Sequence, residues 1–233
     1  MTAGPLGISF IISVGEVEEG LDIIGGSANL YEMKGKIYMR SMKIETPRLR
    51  IRNLQTGDEL AFAAMAADGS LNDVGFDKDC GKWMADWIKE AKALAVRDDP
   101  NTEYLAYTIT LKDGDVIGSV GCSYYEDLQE TGITYFIGAQ YRNRGYAAEA
   151  VKAYTEYFLG HYNIPGLIAT VREENTASGK VVEKAGFHLS EKKMYQDLND
   201  EKAEMYRFYS CTANVIEHST FDPLEPVPIK DEH

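Results

Sequence analysis

A basic turn that contains a glycine, at residues 140–150, has the composition of an anion-binding site. Arg142, Arg144 and Gly145 lie at its centre, between an apolar strand pattern and a helical spacing of apolar positions. A helix that begins at such a turn directs unpaired backbone N–H groups and the positive end of its dipole at one spot. Gly145 allows close approach of the backbone, and Ala147 keeps the floor of the site small. The turn therefore predicts a seat for a phosphate group.

The cysteines and histidines show no spacing typical of a metal site or a disulfide framework. Cys80, Cys122 and Cys211 are widely separated and contain no CxxC pair. His161 and His188 have no partner at a spacing that indicates a metal site or a catalytic triad. We therefore expect no metal and a reducing, cytoplasmic location.

The charge balance argues against a nucleic-acid-binding surface. The chain has 233 residues, with 24 Lys plus Arg against 37 Asp plus Glu and a net charge of −13. This balance favours a cationic or amine substrate. No apolar run approaches the roughly 20 residues that cross a bilayer. The apolar stretch at 6–12 lacks a basic flank and is followed by acidic residues, so we do not interpret it as a secretory signal.

The hydrophobic patterns predict an α/β domain with a mixed, largely antiparallel sheet of about seven strands and about four helices. The predicted order is strand, helix, helix, three strands, helix, strand, helix, two strands. Strand-like runs occur at 49–54, 104–111, 116–125, 133–137, 167–171, 187–195 and 205–209. An Asp-Gly pair at Asp113 and Gly114 predicts a tight hairpin turn between the second and third strands. We expect residues 43–211 to form the domain, with an extension at 1–42 that holds one or two short strands and a tail at 212–233.

Three motifs in this order resemble the GNAT superfamily of acyl-CoA-dependent N-acetyltransferases. They are Arg142-x-x-Gly145-x-Ala147, then Asn175-x-x-Ser178, then the Glu-Lys-Ala-Gly-Phe run at 183–187. The run at 46–52 is similar to the start of the branch that contains the ribosomal-protein N-terminal acetyltransferases. The resemblance covers roughly residues 43–210. It implies acetyl-CoA as the acetyl donor, bound where two central parallel strands splay apart.

The resemblance also implies positions for the donor's parts. The diphosphate would rest on the turn, whose residues are Arg142, Asn143, Arg144, Gly145, Tyr146 and Ala147. The backbone of Phe136 and Ile137 would pair with the pantetheine arm, and Asn175 and Ser178 would contact the arm or the thioester end.

Each of these assignments has a structural alternative. Arg142 or Arg144 could be a solvated surface arginine, and Asn175 is also a good helix N-cap. Phe136 and Ile137 are expected to place their side chains in the core. Cys122, on a strand beside the central pair, is better interpreted as a buried structural thiol than as a nucleophile, because no basic neighbour lowers its pKa.

The catalytic base does not transfer from the resemblance. That branch often has a glutamate on the strand that carries Phe136, and the aligned residue here is Gly132. Glu130 lies two residues earlier, on the same face if the strand extends that far, and it is our candidate for the base. Glu126 is a second candidate, and both could be solvated hairpin carboxylates. Val181 and Val182 occupy the region where the family's tyrosine acid lies, so no acid transfers.

Two functions from different classes remain open at this point. The first is an N-acetyltransferase that acts by direct attack of a primary amine, which belongs either to a protein N-terminus or to a small molecule. The second is an acyl-CoA-binding or protein-interaction module with little or no turnover, an alternative motivated by Gly132. No nucleic-acid or membrane partner is expected, and the oligomeric state is open, a homodimer included.

Overall fold

A computed structural model describes residues 30–33, 36–40, 42–101, 103–197, 200–213 and 226–228. Its main sheet has eight strands, which are β3 (Lys43–Glu45), β4 (Leu49–Asn53), β5 (Tyr104–Leu111), β6 (Val116–Tyr125), β7 (Glu130–Ile137), β8 (Gly166–Arg172), β9 (His188–Tyr195) and β10 (Glu204–Thr212). Their spatial order is β3-β4-β5-β6-β7-β8-β10-β9. Neighbouring strands are antiparallel except β7 and β8, which are parallel. The predicted element order and the mixed, largely antiparallel α/β class are confirmed.

Within the described residues, four α-helices cover the two faces of the sheet. They are α1 (Asp58–Ala66), α2 (Met84–Arg97), α3 (Tyr146–Tyr162) and α4 (Thr176–Lys184). Two apolar clusters hold the layers together: one joins α3 and α4 to the sheet, and the other joins α1 and α2 to the opposite face. Fully buried Tyr154 and Phe158 of α3 lie in the first cluster, and Phe62 of α1 and Met84 of α2 lie in the second. Burial of such side chains stabilises each layer by about 1.5–3 kcal/mol per residue.

Local sequence accounts for several of the boundaries. The hairpin between β5 and β6 turns at Gly114, whose φ of 106° lies in the left-handed region that glycine tolerates. Helix α4 begins after Asn175, whose side chain accepts a hydrogen bond from the Ser178 N–H at 3.0 Å. The chain leaves α4 through Gly186, with a φ of 99°. The sequence predicts a turn or a cap at each of these residues.

The strand count differs from the expected number by one. Strand β3 is the additional member, and it pairs Glu45 with Arg50 of β4. Three residues are too few for an alternating pattern to stand out, so β3 was not predicted. Its central residue, Ile44, is 7% exposed and joins the α3 side of the core.

A separate three-stranded sheet contains β1 (Leu30–Met33), β2 (Lys36–Arg40) and β11 (Pro226–Pro228). The one or two short strands expected in the N-terminal extension are therefore present. The expected tail contributes β11, which pairs antiparallel with β2. The apolar stretch at 6–12 lies outside the described residues. Within the described part of the chain, no helix is both long and apolar enough to cross a membrane.

Candidate active site

The basic turn connects the end of β7 to the start of α3. After β7 the chain forms a short 3₁₀ helix at Ala139–Tyr141, and Gly145 then becomes the N-cap of α3 with a φ of 81°. Asn143 also has a positive φ, of 62°. Two left-handed residues two positions apart turn the backbone sharply, so that successive N–H groups face the same side, as in anion-binding nests.

Six consecutive backbone N–H groups, at residues 143–148, have no acceptor among the described residues. The first intrahelical bond of this region is donated by Glu149 to the Gly145 carbonyl, at 3.1 Å. The turn residues 142–145 are exposed, so the N–H groups are open to a ligand. Unpaired donors at the positive end of a 17-residue helix can share the charge of a diphosphate without a metal ion.

The two arginines of the turn are used differently. The Arg142 guanidinium donates to the Ile137 carbonyl and to the Ser70 carbonyl, both at 2.9 Å. Arg142 thus ties the turn to the end of β7 and to the loop after α1, while its charge stays beside the turn. Arg144 is exposed, and its carbonyl accepts a hydrogen bond from Arg48 at 2.8 Å.

Arg48 is a site residue that the motif analysis did not single out. Its guanidinium lies 4.8 Å from the centroid of the Tyr146 ring and 2.6 Å from a carboxylate oxygen of Glu149, in the first turn of α3. Thr46 also donates to Glu149, at 2.6 Å. Burial raises the pKa of Glu149, but the hydrogen bonds from Thr46 and Arg48 outweigh it and hold that pKa below its ordinary value. Arg48 lies in the run that resembles the ribosomal-protein branch, which is the signal that could have identified it.

Strands β7 and β8 share a single register pair, Gly132 with Ile168, within the described residues. Towards their carboxyl ends the two strands have no further residue pair, and we call the space between these unpaired stretches the wedge. Phe136 and Ile137 are 8% and 6% exposed, and their side chains enter the two apolar clusters on opposite faces of the sheet. The expectation that both side chains are core residues is confirmed, and the β7 backbone is the part that borders the wedge.

Helix α4 lies next to this wedge. The Tyr135 hydroxyl of β7 donates to the Ser178 carbonyl at 3.3 Å, which joins β7 to the first turn of α4. Asn175 is the N-cap of the helix, so its structural role is established, and its amide nitrogen has no hydrogen-bond partner among the described residues. The basic turn at 142–147 and the Asn175-x-x-Ser178 motif thus lie on neighbouring elements, towards the carboxyl-terminal side of β7 and β8.

The carboxylate candidates are less well placed. Strand β7 begins at Glu130, as is required for Glu130 to share a face with Gly132. The Glu130 side chain, however, is exposed at the amino-terminal end of the strand. Glu126 is exposed in the preceding turn. At Gly132, a Cβ atom would lie 2.5 Å from Cε2 of Tyr125, so the ring of Tyr125 occupies the space that a side chain would need.

Cys122 is buried, with 1% of its surface exposed, and it accepts a hydrogen bond from the Tyr154 hydroxyl at 3.4 Å. Burial raises the pKa of its thiol to about 12. The interpretation of Cys122 as a structural thiol is confirmed. No group of three or more potential metal ligands is found in the described ranges.

Comparisons with known proteins agree with this geometry. The model of the acetyltransferase (GNAT) domain family matches residues 48–188. The uncharacterized N-acetyltransferase YnaD of Bacillus subtilis (strain 168) is 28% identical over 149 residues, which are 62% of this chain and 82% of YnaD.

Two solved structures share the fold at low sequence identity. The ribosomal L7/L12 α-N-protein acetyltransferase RimL, in complex with coenzyme A, has a TM-score of 0.63 at 13% identity, over 75% of this chain and all of that one (100%). An acetyltransferase from Salmonella typhimurium, which modifies the N-terminal serine of a 50S ribosomal subunit protein, has a TM-score of 0.61 at 13% identity, over 73% of this chain and 99% of that one.

Proposed function

Because the chain belongs to the acetyltransferase (GNAT) domain family, we propose that it transfers the acetyl group of acetyl-CoA to a primary amine by direct attack. The catalytic unit in this proposal is residues 43–211. The donor is acetyl-CoA, and no metal takes part.

The observation that carries the proposal is the row of six unpaired N–H groups at residues 143–148, beside the wedge between β7 and β8. A diphosphate on this row would leave the pantetheine arm free to follow the β7 backbone at Phe136 and Ile137, as an added strand does. Arg142 adds positive charge at the same end of the wedge, and Arg48 neutralises the nearby carboxylate of Glu149. In this proposal the amide of Asn175 and the hydroxyl of Ser178 contact the arm or the thioester end from the side of α4.

The chemistry makes two further demands on the chain. An acceptor that arrives as an ammonium ion must lose a proton before it attacks, and the tetrahedral oxyanion must be stabilised. Backbone N–H groups of β7 that face the wedge are suited to the second task. The net charge of −13 favours a cationic acceptor.

We propose a protein N-terminus as the first acceptor to test. RimL, a ribosomal L7/L12 α-N-protein acetyltransferase, and the Salmonella enzyme, which modifies the N-terminal serine of a ribosomal protein, share this fold. Small amines are the alternative acceptors in the same assay.

Donor binding is tested by thermal unfolding with acetyl-CoA, CoA and pantetheine. A ligand that binds only the folded state, at a free concentration of 100 times its Kd, stabilises that state by about 2.7 kcal/mol. We expect acetyl-CoA and CoA to raise Tm and pantetheine, which lacks the diphosphate, to have little effect. Equal shifts with all three ligands would contradict the diphosphate seat.

Turnover is tested by CoA release with peptides that begin with Ser, Ala or Met, with spermidine and with an aminoglycoside. Mass spectrometry of the products then locates the acetyl group. Donor binding without CoA release from any of these acceptors would favour the second candidate, an acyl-CoA-binding module. That candidate is favoured by Gly132, since the strand lacks a carboxylate at that position.

A further inference from the structure

The ring of Tyr125 lies over the backbone of Gly132. A Cβ atom at Gly132 would be 2.5 Å from Cε2 and 3.1 Å from Cδ2 of Tyr125, so glycine is required for this packing. Gly132 is also the β7 residue that pairs with Ile168 of β8. The ring therefore lies at the apex of the wedge, where the two parallel strands begin to separate.

A chain of hydrogen bonds leads away from the Tyr125 hydroxyl. That hydroxyl lies 3.4 Å from Oγ1 of Thr170 on β8, and Thr170 donates to Oδ2 of Asp197 at 3.3 Å. Since Thr170 gives its single proton to Asp197, the Tyr125 hydroxyl donates to Thr170. The lone pairs of the Tyr125 oxygen then remain available to a donor in the wedge.

The Asp197 end of this chain is held in place by its neighbours. The Asp197 N–H donates to Oδ2 of Asp200 at 3.2 Å. Asp200 also accepts a hydrogen bond from Tyr206 at 2.7 Å and forms an ion pair with Arg172. Asp200 is thus neutralised by the Arg172 cation while it holds the Asp197 backbone.

We propose that Tyr125, Thr170 and Asp197 form a proton relay that deprotonates the acceptor amine. This inference rests on the proposed acetyl transfer. Tyr125 is the residue that touches the ammonium group, and Thr170 and Asp197 act through it. This relay takes the place of the carboxylate that Gly132 lacks. Burial raises the pKa of the Tyr125 hydroxyl, so the group passes a proton on while remaining protonated itself.

The proposed step balances in protons and electrons. The ammonium N–H proton passes to the Tyr125 oxygen, the Tyr125 proton passes to Thr170, and the Thr170 proton passes to the carboxylate of Asp197. The freed nitrogen lone pair forms the C–N bond to the thioester carbonyl. The C–S bond then breaks, the second nitrogen proton ends on the CoA sulfur, and Asp197 returns its proton to water.

Other titratable and charged groups surround the relay and enter any interpretation of its pH dependence. They are Asp127 in the β6–β7 turn, Tyr195 on β9, Asp200 and Tyr206 near β10, Arg172 on β8, and Asp73, which lies 3.7 Å from Arg172. The Tyr195 hydroxyl donates to Asp127 at 3.4 Å, outside the relay. Tyr195→Phe is therefore a matched control, since it also removes one tyrosine hydroxyl bonded at the same distance.

The test compares the pH profiles of kcat/KM for the wild type, Tyr125→Phe, Thr170→Val, Asp197→Asn and Tyr195→Phe. The acceptor is whichever peptide or amine of the panel the wild type acetylates fastest. We expect the three relay variants to lose about 100-fold near pH 7, the lower end of typical general-base effects. The loss should shrink steadily as the pH rises past the pKa of the chosen acceptor amine, because the amine is then already neutral, and Tyr195→Phe should follow the wild type.

Three readouts decide the outcome. Melting temperatures and acetyl-CoA affinities near wild type show that the variants are folded and load the donor. Relay variants whose profiles run parallel to the wild-type profile, with the same loss at every pH or with none, overturn the relay while the proposed function stands. Absence of CoA release by the wild-type protein with every acceptor overturns the proposed function, and the relay with it.

Discussion

Arg48 and Glu149 meet at 2.6 Å between Nη2 and Oε2, and this ion pair joins the segment before β4 to the first turn of α3. The same guanidinium donates to the Arg144 carbonyl. Arg48 thereby fixes the shape of the turn and compensates the negative charge that Glu149 places beside the unpaired N–H groups. Both the fixed shape of the turn and the compensated charge of Glu149 would favour an anion bound at this site.

Arg48→Ala should raise the Kd of CoA about tenfold, which corresponds to about 1.4 kcal/mol. The uncompensated Glu149 carboxylate would then repel the diphosphate. Isothermal titration with CoA measures the change. Arg50→Ala is the matched control, because Arg50 pairs with Glu45 at 2.7 Å, away from the turn. Equal effects of the two variants would contradict the role given to Arg48.

Gly145→Ala should both destabilise the fold and weaken CoA binding. At a φ of 81° an L-residue costs about 1–2 kcal/mol, and the new Cβ would lie 3.3 Å from Nη2 of Arg48. Gly160→Ala is the control within the same helix: its Cβ would meet nothing within 4 Å, and alanine is the better helix former. We expect Gly160→Ala to raise Tm slightly and to leave the Kd of CoA unchanged. An unaltered Kd in folded Gly145→Ala would argue against the assigned turn.

Asn175 can be divided into a capping role and a binding role by two substitutions. Asn175→Ala removes the bond to the Ser178 N–H and should cost about 1 kcal/mol of unfolding free energy. Asn175→Ser retains a capping oxygen but has no amide. We expect Asn175→Ser to restore Tm without restoring acetyl-CoA affinity, as measured by thermal unfolding and titration. Recovery of both quantities would assign Asn175 to the cap alone.

Asp58 should make the fold sensitive to acid. Burial raises the pKa of this carboxyl, but hydrogen bonds from Arg52 and Thr108 outweigh it and place the folded-state pKa below the ordinary value of 3.8. A lowered folded-state pKa means that the contribution of Asp58 is complete above about pH 4 and declines as the pH falls through the folded-state value. Two bonds from Arg52, each 2.8 Å long, and one from the Gln55 N–H hold the same carboxylate.

Asp58→Asn should therefore cost about 3 kcal/mol at pH 7, because it leaves Arg52 without its partner. Urea unfolding at pH 7 and pH 3 measures the difference between variant and wild type. That difference should narrow at the lower pH, because below about pH 4 the Asp58 carboxyl takes up a proton more readily in the unfolded wild-type chain than in the folded one. A gap of constant size would show that packing at Asp58, and not its charge, stabilises the fold.

Gly132→Ala tests the packing under Tyr125 without any activity assay. Forcing a Cβ against the ring should cost about 1–3 kcal/mol, as overpacking does. In a Tyr125→Ala background the same substitution should cost little, so the double-mutant cycle should show strong coupling. If the two substitutions change the free energy of unfolding additively, the packing of the Tyr125 ring does not depend on Gly132.

The sequence predicted the parts of the site that depend on local backbone chemistry. Gly145, Asn175 and Gly186 have a turn or cap conformation that their residue types favour, and the structure places them as expected. Motif spacing likewise located the turn relative to α3 and α4.

Contacts between distant segments could not be predicted in the same way. Arg48 and Glu149 are 101 positions apart, and Thr170 and Asp197 are 27 apart. No local pattern reports such pairs, because the sheet order brings them together. For Glu130, the alternation of side chains predicts its face on β7. Alternation cannot predict that this side chain is exposed to solvent at the end of the strand.

The single residue pair between β7 and β8 has a consequence for how the protein unfolds. The main sheet consists of a five-stranded antiparallel block, β3 to β7, and a three-stranded block of β8, β10 and β9. Little backbone ladder crosses the seam, so side-chain packing beneath α3 and α4 carries the cooperativity between the blocks. A ligand strand laid into the seam would complete the missing ladder, and the acetyl donor would then serve as a removable structural element as well as a reactant.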